Sequence, residues 1–253
     1  MSREEFRRAV GDEPVDLGLA CLLIGREAEP DLDLTAGLAA LDALAAAVPA
    51  TDPTDAAGSA VALRTALAGF GGTAADYGDL RSSLLHEVLR RRRGLPILLA
   101  VVWLEVARRA GLPAFPVGLP GHFLVGVGTP QAHVLVDAFD DGAVLTRVPD
   151  GAHPYSERDV VLRVLNNIRS HAATLPSLVD AQHTALWAVE LSLLLPRHPA
   201  VLRRERGVLL ARGGQFAAGA AELEAYAEAV AGANEGAAEQ ARRDARLARS
   251  RLN

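Results

Sequence analysis

The chain has 253 residues, enough for one large domain or two, with 50% apolar and 23% charged residues. These proportions belong to a globular protein and exclude disorder as its main state. With 26 basic against 31 acidic residues the net charge is −5, so no nucleic-acid partner is expected on electrostatic grounds.

The N-terminal Met1–Glu5 has no basic region followed by an apolar run, so no secretory leader is expected. Between residues 15 and 48, Leu19, Leu22 and Leu23, then Leu34, Leu38, Leu41, Leu44 and Val48, recur at helical spacing. Pro30-Asp31 divides them into two helices, with Asp33 or Thr35 as the cap of the second. Cys21 lies in the first, in the run Leu19–Leu23, and is the only cysteine. No intrachain disulfide or multi-cysteine metal site can exist, and a thiol in an apolar helix is expected to be buried and inert. A third helix is expected over Val61–Phe70, stopped by Gly71-Gly72, and a short one over Ser83–Arg92. After Gly94, Pro96 suits the first turn of a helix running to Ala110, with Gly111 as its stop. Its most apolar stretch, Leu95–Ala107, is broken by Glu105 and too short to span a bilayer. A cytoplasmic protein with no membrane partner is the expectation.

The hydrophobic period then changes to two. Ala114–Leu119, His122–Val127 and Ala132–Phe139 read as strands, and Val144–Thr146 as a further one. From Ser156 the pattern is helical again, over Leu186–Leu195, Val201–Arg212 and Ala217–Val230. The order defines an α+β class: N-terminal helices, a small antiparallel sheet, then an all-α tail. The expected division is 1–155 and 156–253.

A four-residue loop at 128–131 would pair Val127 with Ala132 and place His122 directly opposite Asp137, their Cβ atoms about 5 Å apart. An imidazole beside a carboxylate is the base and orienter of a nucleophilic triad, and is also an ordinary structural hydrogen bond. His133, near the turn, is expected to face solvent. The other histidines, His86, His153, His171, His183 and His198, lack metal-ligand spacing. No metal or cofactor is expected.

The runs Ser83–Ile97, Val106–Pro113, Gly118–Val125 and Val136–Phe139, with Leu22–Leu34 and Leu41–Ala45 upstream and Leu165–Ile168 and Arg203–Gly207 downstream, resemble one family. It is the bacterial transglutaminase-like family with a C-terminal tetratricopeptide tail, the invasion-regulator or Sir-B type. The resemblance implies a transglutaminase-like core of the papain-like cysteine-protease type. In that superfamily a cysteine opens the central helix, a histidine lies on a later strand and an aspartate on the next. His122 and Asp137 match the second and third roles. The first falls at about Pro96, and neither Leu95, Pro96 nor Ile97 carries a nucleophilic atom. Relatives often have Ser or Thr where Leu98 stands, and the family's Asp-Pro-Phe reads Asp137-Ala138-Phe139.

In the tail, Gly207, Leu210, Gly214, Phe216, Gly219 and Leu223 keep the spacing of one tetratricopeptide repeat. Gly207, Leu210 and Phe216 are the framework residues on which binding of a protein or peptide partner would rest. The run Arg90–Arg93 is expected to be a solvated helix end, with Glu87 pairing Arg91. Arg242–Arg251 is expected to be a solvated closing helix. The leading functional expectation is a non-catalytic protein-interaction or regulatory scaffold. The alternatives are a weak hydrolase or acyl-transfer enzyme using His122 and Asp137, and a module binding a small ligand in the cleft without its cysteine.

Overall fold

The computed structural model describes residues 2–251. In chain order its elements are α1 (Ser2–Gly11), α2 (Leu17–Ala28), α3 (Leu34–Ala46), α4 (Ala56–Ala66), 3-10 turns at Ala74–Gly78 and Leu80–Ser83, α5 (Leu85–Arg91) and α6 (Pro96–Arg109). Strands β1 (Ala114–Leu119), β2 (His122–Thr129), β3 (Ala132–Asp137), β4 (Ala143–Val144) and β5 (His153–Pro154) follow. Helices α7 (Glu157–Ala172), α8 (Leu178–Ser192), α9 (Val201–Arg212), α10 (Phe216–Val230) and α11 (Glu235–Ser250) complete the chain. Two compact units, Met1–Asn167 and Ile168–Asn253, divide within α7.

Helix α6 is the axis of the first unit. Every residue from Pro96 to Ala107 is buried, as befits a helix that is apolar all round. The sheet packs on it through β1 and β2, and α2, α3, α4 and α5 pack on it as well. The only charged residue in that run, Glu105, is 2% exposed. Its carboxylate accepts from Arg108 at 3.0 Å and also pairs with Arg109 one turn on. Asp33 caps α3 by accepting from the Thr35 and Ala36 backbone N–H groups, so of the two expected caps Asp33 is used. Helix α1 was not foreseen. Phe6, Ala9 and Val10 form its buried stripe, too short a pattern to stand out among its charged residues. Helix α4 begins five residues before the expected Val61 and ends at Ala66, because the Asp55 side chain caps it through the Gly58 N–H.

The sheet has the order β4-β3-β2-β1-β5 and is antiparallel throughout. The hairpin register differs from the expected one. Strands β2 and β3 extend to Thr129 and from Ala132, so the loop is only Pro130-Gln131, and Val125 pairs with Val136 and Val127 with Val134. Each partner has moved by two residues. An even shift keeps every side chain on its face, whereas a shift of one would have reversed them all. Phe123, Val125 and Val127 accordingly remain buried, with β2 packed on α6. The opposite face gathers Val117, Leu124 and Leu135, flanked by Phe115, Leu119 and Leu145.

In the second unit, α9 and α10 pack closely through two glycines. A Cβ on Gly207 would meet the Gly219 carbonyl oxygen at 2.9 Å, and one on Gly219 would meet the Gly207 carbonyl oxygen at 2.7 Å. Helix α11 packs through alanines: Ala245 and Ala248 lie against Ala220 and Leu223, and Ala238 and Ala241 against Tyr226 and Ala227. The closing helix is therefore amphipathic, not merely solvated, because its small residues let it approach α10.

Candidate functional site

His122 opens β2 directly after the turn Pro120-Gly121, where Gly121 takes a left-handed φ of 73° that a glycine accommodates without strain. Asp137 closes β3. His122 Nε2 lies 2.7 Å from Asp137 Oδ2. With the register shifted, the two residues are not directly opposed; the side chains meet diagonally across one sheet face, within reach for long polar groups. The same carboxylate holds its own loop. Asp137 Oδ1 accepts from the Phe139 N–H at 2.9 Å and the Asp140 N–H at 3.3 Å, a turn in which Asp mimics the backbone.

The histidine and aspartate side chains are 28% and 20% exposed, so the pair is neither sealed nor open. Burial opposes ionisation of Asp137, but the hydrogen bond and charge of His122 and the two backbone donors outweigh it, so its carboxyl lies below its ordinary value. Because Nε2 is engaged by the carboxylate, Nδ1 is the ring nitrogen left to act on a substrate or water. Chemically, the arrangement is a base with its orienting group.

Two aromatic neighbours were not legible in the sequence. The Phe139 ring lies edge-on to His122, with centroids 6.0 Å apart, and edge-on to Tyr77 at 5.9 Å. Gly72 makes room for Phe139, since a Cβ there would sit 2.0 Å from its ring. Tyr77 stands on a 3-10 turn sixty residues before Asp137 in sequence, and no local pattern links them. Burial and the Asp137 charge raise its phenol pKa.

Pro96 is the first residue of α6, buried, and preceded by Leu95 in extended conformation. Leu95 donates its N–H to the Ser82 carbonyl oxygen at 2.9 Å. Of the run that ends α5, Arg90, Arg92 and Arg93 are exposed, as expected of a solvated helix end, whereas Arg91 turns inward. Arg91 binds Asp79 at 2.8 Å and Asp76 at 3.4 Å, and Arg93 binds Asp76 at 2.9 Å and Thr73 Oγ1 at 2.7 Å. Arg92 lies over the Phe70 ring. Glu87 pairs with Arg90 instead of the expected Arg91, which the buried Asp76 has drawn inward.

Cys21 is a buried free thiol on α2. Burial, then the charges of Glu105 and Asp16, push its pKa far above the ordinary thiol value, which suppresses the reactive thiolate. Glu105 lies nine residues along α6 from Pro96, a rise of ~13 Å. His133 is exposed, as expected, and packs edge-on against Phe115. In the tail, Gly207 and Leu210 are buried in α9, and Phe216 lines a recess of about 280 Å³ with Leu223 and Leu247. Gly207 is packed against the Gly219 carbonyl of α10.

Residues 35–150 match the transglutaminase-like superfamily and residues 179–253 the tetratricopeptide repeat. The chain is 34% identical over 160 residues to a UPF0162 protein of Xylella fastidiosa (strain 9a5c), covering 55% of this chain and 56% of that protein. Over 85 residues it is 38% identical to the mouse F-box only protein 21, covering 30% of this chain and 14% of that protein. The matched stretches thus span little more than half of the bacterial relative and a small part of the mouse one. Among solved structures, the crystal structure of menin that reveals its binding site for the Mixed Lineage Leukemia (MLL) protein aligns with 98% of this chain and 67% of that chain. The TM-score is 0.53 at 15% identity, a likeness of fold. No helix among the described residues is long and apolar enough to cross a membrane.

Proposed function

We propose that this chain is a non-catalytic transglutaminase-like protein that acts as a protein-interaction or regulatory scaffold. The observation that carries this reading is the start of α6, where the superfamily's nucleophile would stand and where Pro96 offers no nucleophilic atom. Cys21, the only thiol, is buried and held protonated beside Glu105. In this reading His122 and Asp137 are a remnant dyad that now secures the β3 turn, residues 1–155 form the core module, and the helices from 156 onward carry the partner contact. Tetratricopeptide repeats typically mediate protein contacts through stacked helix pairs. The partner is a protein or peptide in the cytoplasm, with neither nucleic acid nor membrane involved. Menin, whose fold is similar, has a binding site for another protein.

A second reading, a weak hydrolase or acyl-transfer enzyme, is favoured by the 2.7 Å dyad and its partial exposure. A positioned base alone typically supplies about 10²–10⁴-fold rate enhancement. The test uses the full chain with a photo-crosslinking residue at exposed Leu178 in the tail or exposed Val61 in the core. Transamidation and peptide-hydrolysis assays of wild type, Cys21→Ser and His122→Ala run alongside. The expected result is one defined partner crosslinked from Leu178, with no turnover sensitive to either substitution. Turnover abolished by His122→Ala would replace the scaffold with the enzyme reading, and a lack of crosslinks from the tail would remove the assigned partner surface.

A further inference from the structure

The second unit contains a groove of about 760 Å³ between the last turn of α7 and helices α8 and α9. Alanines line much of it: Ala172 at the end of α7 and Ala173 just after it, and Ala181 and Ala185 from α8. Their short side chains leave the volume open, and Val208 and Leu209 of α9 add apolar surface. Two apolar side chains border it without cover, Leu178 at 85% exposure and Val201 at 48%. Surface of this kind is costly to leave wet.

The charge along the groove is opposite in sign to that of the chain. The whole protein carries −5, yet the groove is lined by Arg169, Arg204 and Arg212 against a single acid, Glu205. That acid is already matched, with Arg169 Nε at 3.3 Å from its carboxylate. Arg204 and Arg212 are exposed, and no ion pair or hydrogen bond of their side chains occurs among the described residues. Most other arginines of the tail, including Arg203, Arg206, Arg242 and Arg249, have carboxylate partners. Arg197 and Arg251 are likewise without a side-chain partner among the described residues, but only Arg204 and Arg212 of these four line the groove. These two lie eight residues apart on α9, ~12 Å along the helix axis. An extended peptide covers that distance in about four residues.

From this charge complementarity we infer that the α7–α8–α9 groove docks an acidic segment of another protein. The segment lies extended along α9, with carboxylates on Arg204 and Arg212 and apolar side chains between them. Arg is suited to this because its planar fork binds carboxylates in a bidentate manner. The inference deepens the scaffold reading and rests on it, naming the chemistry of the partner.

The test titrates the full chain into a fluorescein-labelled peptide, Glu-Glu-Leu-Ala-Leu-Leu-Glu-Glu, and into its counterpart with Gln at every Glu, followed by fluorescence anisotropy. The acidic peptide is expected to bind, to lose about ten-fold or more in affinity against Arg204→Glu/Arg212→Glu, and to weaken several-fold between about 50 and 300 mM salt. Leu178→Ser is expected to weaken it through the lost apolar contact. Circular dichroism of the variants checks that the helices persist, which the exposure of these side chains predicts. No binding of the acidic peptide, equal binding of the Gln peptide, or undiminished binding by the double arginine variant overturns the inference. The Leu178 photo-crosslink, repeated with Arg204→Glu/Arg212→Glu, separates the two proposals. A partner retained by the double variant overturns the groove and leaves the scaffold standing, whereas absence of a tail crosslink in the wild type overturns both.

Discussion

Replacing Asp137 by Asn removes the group that ties His122 to the end of β3. Because the folded protein holds Asp137 below its ordinary pKa, its contribution to stability is present above the unfolded value of about 3.9 and is lost as pH falls through the lower folded value. Asp137→Asn is therefore expected to flatten the acid limb of a urea-midpoint profile below about pH 4. An unchanged acid limb would mean that the carboxylate is not linked to folding. His86 supplies a second window. Burial lowers its pKa against the opposing charges of Glu29 and Glu87, so it stabilises the fold while neutral. That stability is lost as pH falls from the unfolded value of about 6.5 through the lower folded one. The profile of His86→Leu should accordingly lose its decline just below about pH 6.5 while keeping the lower limb of Asp137. Asp76 is the residue with most to lose. It is 4% exposed and joins Arg91, Arg93, Ser82 and Thr73, so Asp76→Ala leaves the half-buried Arg91 short of a partner. A loss of about 3 kcal/mol is expected in chemical denaturation, and a loss below about 0.5 kcal/mol would show that the cluster is not coupled to folding.

At the scale of elements, α6 and the α9–α10 pair depend on opposite kinds of packing. Leu99 is fully buried in α6, and Leu99→Ala should cost about 2–5 kcal/mol through lost burial and the cavity left behind. In α9–α10 the danger is added volume. Gly219→Val would drive a branched side chain into the Gly207 carbonyl, which already lies 2.7 Å from the Cβ position. Hydrogen exchange should show faster exchange across α9 and α10, with Gly219→Ser less affected than Gly219→Val because its side chain is smaller. Equal protection in wild type and Gly219→Val would mean that the helices are not in close register. The helix boundaries were readable where the chain punctuates itself: Pro96 begins α6, and Gly213-Gly214 separates α9 from α10. They were misplaced where a side chain sets the start, as Asp55 does for α4.

At the scale of the whole molecule, the amino-acid pattern determined the α+β class, the order of helices and strands, and the face of the sheet that His122 and Asp137 share. It did so because alternation fixes the face of a strand, and alternation survives a two-residue error in register. The tetratricopeptide repeat in the tail, with its spacing from Gly207 to Leu223, was also legible, as a resemblance carried by local motifs. Tertiary structure alone decided the rest. Pairing across the Pro130-Gln131 turn made the dyad diagonal. Packing brought Phe139 between His122 and Tyr77, residues distant in sequence, turned Arg91 inward and paired Arg91 and Arg93 with the buried Asp76. It also gathered three arginines from α7 and α9 along one groove. Local periodicity records only which face of its own element a residue occupies. Which charges and rings meet depends on chain closure over tens of residues, and the lowest free energy there is set by burial and pairing together.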